Sequence, residues 1–142
     1  MRLWHTDLIP ALPREQLVAQ WRELSAIAGA IQKNGTPNHI LVNFVLDYDY
    51  NHFISYAAEV RKEMALRGYR TMPAVWTKIT SLKPDWIWLP HSAIYKEKMT
   101  NTYLDICYYN LLEKHLCGGI SNKDFEKILN VYQNNLNKDN PF

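Results

Sequence analysis

The chain has 142 residues, a length that fits one domain. Hydrophobic residues make up 47% and charged residues 21%, which is apolar enough for a packed core and excludes global disorder. The formal net charge of +2 is compatible with a nucleic-acid partner but does not argue for one, because a binder that works mainly by charge is usually more basic.

Residues 1–12 read as a short irregular lead containing Pro10. The opening Met1-Arg2-Leu3-Trp4-His5-Thr6-Asp7 lacks the apolar run of a signal peptide. No later stretch approaches the ~20 apolar residues of a membrane span. Pro13 suits the first turn of a helix, where its missing N–H costs nothing. A first helix is predicted over about 13–33, with Leu17, Trp21, Leu24, Ala28 and Ile31 as its apolar stripe. Gly35 and Pro37 stop it.

The run 36–48 is apolar but not periodic, and its length fits a short helix or an extended piece equally. A second helix is predicted over about 49–67, capped by Asp49 and ended by Gly68. Its buried stripe is Phe53, Tyr56, Ala57, Val60 and Met64. Residues 69–89 hold Pro73, Pro84, Trp76, Trp86 and Trp88 without a helical period, which predicts a structured loop packed on the domain.

A third helix is predicted from near Pro90 to about 116, with Ile94, Leu104, Cys107, Tyr108, Leu111, Leu112 and His115 facing inward. Cys107 and Cys117 make no C-x-x-C pair and no disulfide framework, so a reducing cytoplasm is the expected setting. Gly118-Gly119 end that helix. Ser121 with Asp124 resembles a capping box and opens a last helix over about 122–136, after which the Asn- and Lys-rich end should fray. The expected class is mainly α: a single compact helical domain over 1–142, with three to four principal helices and the N-terminal segment packed against the first.

The chemistry is concentrated in residues 16–33. Glu23 lies about 200° around the helix from Trp21, off the apolar stripe. Its own face carries Ala19, Ala26, Ile27 and Ala30, small or apolar residues that let another piece of chain approach closely. A carboxylate so placed loses water, and its pKa rises toward the range useful for acid–base work. Arg22 beside it can hold it ionised or bind a phosphate.

These residues resemble the pyrimidine-dimer DNA glycosylase family, known from small phage-type repair enzymes and short bacterial relatives. The matching positions are Leu17, Ala19, Arg22-Glu23-Leu24, Gly29-Ala30 and Lys33. Met1-Arg2-Leu3-Trp4-His5, Leu8-Ile9-Pro10 and Leu12-Pro13-Arg14 resemble the bacterial branch, as do Phe44 to Tyr48 and Glu63 to Arg70. Pro90-His91 also has a counterpart, so the family-like region spans about 1–115, and the last helix is an addition.

The resemblance implies a DNA N-glycosylase with abasic-site lyase activity. The N-terminal α-amine attacks C1′ of the damaged nucleotide, the base leaves, an imine forms and the strand breaks by β-elimination. Glu23 matches the family's essential glutamate. An α-amine, with a pKa of about 7.7–8.0, is partly neutral and nucleophilic near neutrality, and a carboxylate stabilises the cationic imine. Methionine is retained before a residue as bulky as arginine, so the expected nucleophile is the amine of Met1. The lead is one residue longer than in the phage-type members, which brings Met1-Arg2-Leu3 into register with the family's amine, basic residue and apolar residue. Ala26 stands where those members carry a basic residue.

The expected site is therefore Met1 and Glu23 for catalysis, with Arg2, Arg22, Lys33, His39 and His91 as phosphate or substrate contacts and damaged or abasic DNA as partner. Each has a plainer reading. Arg22 and Arg2 also fit salt bridges, Lys33 a helix C-terminal charge, and His39 and His91 hydrogen-bonded residues at element ends. The tyrosines 103, 108 and 109 and Trp86 and Trp88 fit base stacking or core packing. The five histidines form no tight ligand set such as H-E-x-x-H, and neither a metal nor a cofactor is expected. The alternatives are a non-catalytic nucleic-acid-binding module of the same fold and an unrelated small interaction domain.

Overall fold

Residues 3–12 are apolar enough to be core, and the fold uses them that way. A computed structural model describes the backbone of residues 1–139 and the side chains of residues 1–136. Leu3, Trp4, Leu8, Ile9, Ala11 and Leu12 are all buried. The lead is not irregular throughout. Thr6–Ala11 is a 3-10 helix capped by His5, whose Nδ1 accepts the Asp7 N–H at 3.1 Å. Pro13 stands just outside the first α-helix rather than in its first turn.

That helix, α1, spans Arg14–Asn34 and ends where Gly35 adopts φ +75° and donates its N–H to the Ile31 carbonyl at 2.8 Å. The predicted stripe is buried through Leu17, Trp21, Leu24 and Ala28, and Ile31 is half-buried against the same core. Helix α2 spans Tyr50–Leu66, with the Asp49 carboxylate accepting the Asn51 N–H at 2.8 Å as its cap. Its five expected inner residues are all buried.

The ambiguous run before α2 is neither a regular helix nor a strand. It makes turns, then a 3-10 helix over Asn43–Asp47 that buries Val45. Residues 69–89 need correcting too. Within them lies α3, Pro73–Ser81, with Pro73 opening it and Ile79 as its buried residue. Nine residues with one core position are too few to display a helical period, which is why the pattern reads as loop.

The helix predicted from Pro90 starts later. Residues 91–93 form a single 3-10 turn, and Tyr95 takes a left-handed φ of +48° with its N–H on His52 Nδ1 at 2.9 Å. Helix α4 spans Asn101–Leu116, capped by Thr100, whose hydroxyl accepts the Tyr103 N–H at 3.2 Å. Helix α5 spans Asn122–Asp139, three residues beyond the expected end, with Ser121 accepting the Asp124 N–H at 3.1 Å. The backbone of residues 137–139 continues the helix instead of fraying, and the rest of that expectation, for residues 140–142, lies outside the described residues.

The core is one continuous apolar cluster. Helix α1 packs on α2 and α3, while α5 lies on α4 and on the 3-10 helix of the lead. Tyr108 and Tyr132 stack face to face at 3.8 Å between α4 and α5, so the tyrosine run is core packing there. Among the described residues there is no strand, and no helix is long and apolar enough to cross a membrane.

Candidate active site

A buried glutamine organises the site. Gln20 lies on the α1 face between Leu17 and Leu24 and is fully buried. Its Oε1 accepts the Trp4 N–H at 2.9 Å and the Tyr56 hydroxyl at 2.9 Å. Its Nε2 donates to the Arg2 carbonyl at 3.0 Å and to a Glu23 carboxylate oxygen at 3.1 Å. The Tyr56 hydroxyl shares its proton with the Trp4 carbonyl at 2.6 Å, and the Tyr103 hydroxyl donates to the Leu3 carbonyl. Every backbone polar group so engaged belongs to residues 2–4. The first residues are thus fastened to α1, α2 and α4 by side chains, as an unpaired buried backbone requires.

Beyond this anchorage, Met1, Arg2, Trp4, Glu23, Leu41, Asn110 and Lys114 line a cleft of about 250 Å3. Burial raises the pKa of the Glu23 carboxyl. The N-terminal ammonium, Lys114, Arg22 and His39 pull it back down in that order without cancelling the rise. Trp4 is flanked by two cations, with the Arg2 guanidinium and the Lys114 ammonium each 5.9 Å from its ring centre. Burial also raises the Tyr56 and Tyr103 hydroxyls, which keeps both as neutral donors.

Of the expected site residues, Met1, Arg2 and Glu23 share the cleft. Arg22 is exposed beside it, and its charge reaches Glu23. His39 also acts on Glu23 through charge, while its Nδ1 accepts the Leu41 N–H at 3.2 Å. Lys33 does not join them. It is exposed in the last turn of α1, ~15 Å along the helix axis from Glu23.

His91 is also elsewhere. Its Nε2 is 2.8 Å from Asp7 and its Nδ1 is 3.2 Å from Glu59, so the ring bridges the lead and α2. Burial alone would lower its pKa, but those two carboxylates outweigh burial and raise it. The close approach of another element to α1 falls at Gly29, outside the set Ala19, Ala26, Ile27 and Ala30 expected to admit one: a Cβ there would meet Lys78 of α3 at 2.9 Å. Ile27, by contrast, is core.

Sequence reading missed Gln20, Trp4, Tyr56, Tyr103, Lys114 and Asn110 as site residues. Gln20 carried a usable signal, a lone amide on an otherwise apolar stripe, because such a group must be satisfied when buried. Lys114 and Asn110 carried none, since α4 reaches the cleft only through the tertiary fold. Among the described residues, no three His, Cys, Asp or Glu side chains gather as metal ligands would.

The arrangement supplies an amine, a carboxyl tuned toward neutrality, an aromatic ring and several cations around one opening. That set suits covalent chemistry at an electrophilic carbon on an anionic polymer. A family model described as pyrimidine dimer DNA glycosylase matches residues 1–77, the segment that contains the lead, α1 and α2. No curated protein and no solved structure matches the chain. With the match spanning more than half of its length, the chain belongs to the pyrimidine dimer DNA glycosylase family.

Proposed function

We propose that the protein is a DNA N-glycosylase with abasic-site lyase activity, using the α-amine of Met1 as nucleophile and Glu23 as acid, base and cation stabiliser. One observation carries this reading: the chain terminus and the Glu23 carboxyl line the same cleft, joined through Gln20.

The neutral amine attacks C1′ of the damaged nucleotide. The C1′–N bond of the base breaks, its electron pair leaves with the base, and the base takes up a proton. Opening of the sugar ring gives a cationic imine between the amine and C1′. Glu23 lies where its negative charge stabilises that cation. The same carboxylate, basic because it is poorly hydrated, removes a C2′ proton, and β-elimination expels the 3′ phosphate. Water then hydrolyses the imine and frees the amine. Arg2, Arg22 and Lys114 hold the flanking phosphates, where paired contacts fix the backbone without reading sequence.

The test is borohydride trapping on duplex DNA bearing one abasic site. A covalent adduct is expected, lost on acetylation of the N-terminus and on Glu23→Gln. An intact-mass measurement must show Met1 retained. Salt-dependent binding without adduct would overturn the catalytic reading in favour of a binding module of the same fold.

A further inference from the structure

Trp76, Trp86 and Trp88 gather beside α2, and the chemistry proposed above uses none of them. Trp76 and Trp86 are half-buried against the core, whereas Trp88 is 61% exposed. A single exposed ring needs no explanation by itself. This one is held in place. The Asn51 side chain of α2 accepts the Ile87 N–H at 2.8 Å, and the Ser55 hydroxyl accepts the Leu89 N–H at 3.0 Å, so the residues on both sides of Trp88 are pinned to the helix. The indole meets Trp86 edge-on at 4.6 Å and lies within 17° of parallel to Trp76 at 6.3 Å.

A groove runs past this ring. Cavities of about 230 and 340 Å3 share Ala58, Lys62 and Trp88, which makes them one channel along α2. Ala58 and Ala65 in its wall lie about 180–200° around the helix from Tyr56, whose hydroxyl reaches Gln20 and the lead. The groove therefore sits on the side of α2 turned away from the cleft, and the two share no lining residue. Lys62 borders both halves of it, and the Arg61 guanidinium is 4.8 Å from the Trp76 ring centre. Glu59 is the one acid among the lining residues, and its carboxylate is engaged by His91 Nδ1 at 3.2 Å.

That combination selects its occupant. An apolar peptide laid here would cover Lys62 and Arg61 without giving them partners, which is costly. A nucleic-acid strand supplies an anion at every nucleotide and a flat ring beside it. The bases of a duplex are already stacked on one another, so the strand that suits an ordered indole is unpaired. We propose that the α2 groove is a second nucleic-acid site, which takes unpaired nucleotides by stacking a base on Trp88 and holding the flanking phosphates on Lys62 and Arg61. The site rests on the chain's membership of a DNA glycosylase family and not on the lyase chemistry at Met1. A strand bound there leaves the cleft free for duplex.

The experiment follows the fluorescence anisotropy of a labelled oligothymidylate of about eight nucleotides at low salt, with and without an excess of unlabelled blunt duplex, which offers the groove no unpaired base. Wild type is expected to bind the strand in the presence of the duplex. Trp88→Leu, which keeps an apolar side chain but no flat ring, should weaken that binding about tenfold or more, and Trp88→Phe should restore most of it. Lys62→Ala should reduce the slope of log binding constant against log salt by about 0.7, the value for one phosphate of a single strand. Trapping on an abasic duplex should stay within about twofold of wild type in all three variants. Complete displacement of the strand by duplex, equal strand binding by wild type and Trp88→Leu, or a loss of trapping in a folded Trp88→Leu protein would each overturn the second site. A wild type that binds the strand as described but forms no trapped adduct would overturn the lyase reading alone.

Discussion

The Gln20 amide lies 3.1 Å from a carboxylate oxygen of Glu23, and the same nitrogen reaches the Arg2 carbonyl at 3.0 Å. One buried side chain therefore fixes both the carboxylate and the segment leading to the N-terminal amine. It needs two donors on one side and an acceptor on the other. Only an amide offers both, and at this depth a glutamate would set a second carboxylate against Glu23.

Gln20→Leu should lower stability by ~2–6 kcal/mol, since it strands the Trp4 N–H and the Arg2 carbonyl at about 1–3 kcal/mol each. The catalytic loss should exceed what the unfolded fraction explains. The freed terminus should also react faster with an acetylating reagent under native conditions. Urea melts, trapping rates and acetylation rates followed by mass spectrometry check this, and an unchanged acetylation rate would refute the anchoring role.

Glu23 has a raised pKa because burial disfavours its ionised form. A group raised in the folded state is fully stabilising below its unfolded pKa, and that stabilisation is lost as pH rises through the folded value. Glu23→Gln removes this titration. The variant should gain stability relative to wild type as pH climbs from the ordinary carboxyl value of 4.5 through the raised folded one, while trapping activity disappears across that range. Denaturant midpoints at the two ends of the range provide the measurement, and parallel pH curves would contradict it.

Lys114 lowers the pKa of Glu23, second among the charges acting on it. Lys114→Met should push the carboxyl pKa higher still and move the acid limb of the pH–rate profile to higher pH. If Lys114 holds a phosphate, the slope of log binding constant against log salt should also shrink by about one. Binding isotherms at several salt concentrations, paired with pH–rate profiles, separate the two effects.

His91 has a raised pKa because Asp7 and Glu59 outweigh the burial that alone would lower it. The stabilisation it contributes is complete below about 6.5, the unbound imidazole value, and fades as pH rises through the raised one. In His91→Gln that fading should be absent, so the difference from wild type is largest in mild acid and closes with rising pH. Activity should be nearly unaffected, because the ring stands outside the cleft lining. A large loss of trapping by a folded His91→Gln protein would return it to the substrate-contact role.

Much of the scaffold was legible because its signals are local. The α1 and α2 stripes, Asp49 as a cap, Gly35 and Gly68 as left-handed stops and the Ser121 opening of α5 each depend on a few neighbouring residues. Helix α3 escaped because nine residues with one buried position carry too little period, and the late start of α4 followed from Tyr95 in a backbone region that periodicity does not reveal. In the site, Glu23 stood out by its unusual surroundings on one helix and by the motif around it. Gln20 was visible as a residue but not as a hub, because its four partners come from Arg2, Trp4, Glu23 and Tyr56.

The sequence by itself determined the helical class and the main apolar faces, since these follow from spacing along a helix, and the pairing of a terminal amine with one glutamate came from the family resemblance that the motif carries. Tertiary structure alone decided that Lys114, Asn110 and Leu41 join that pair and that Lys33 and His91 do not. The reason is physical. Burial, charge and reach are properties of what packs across from a residue, and that neighbour is usually far away along the chain.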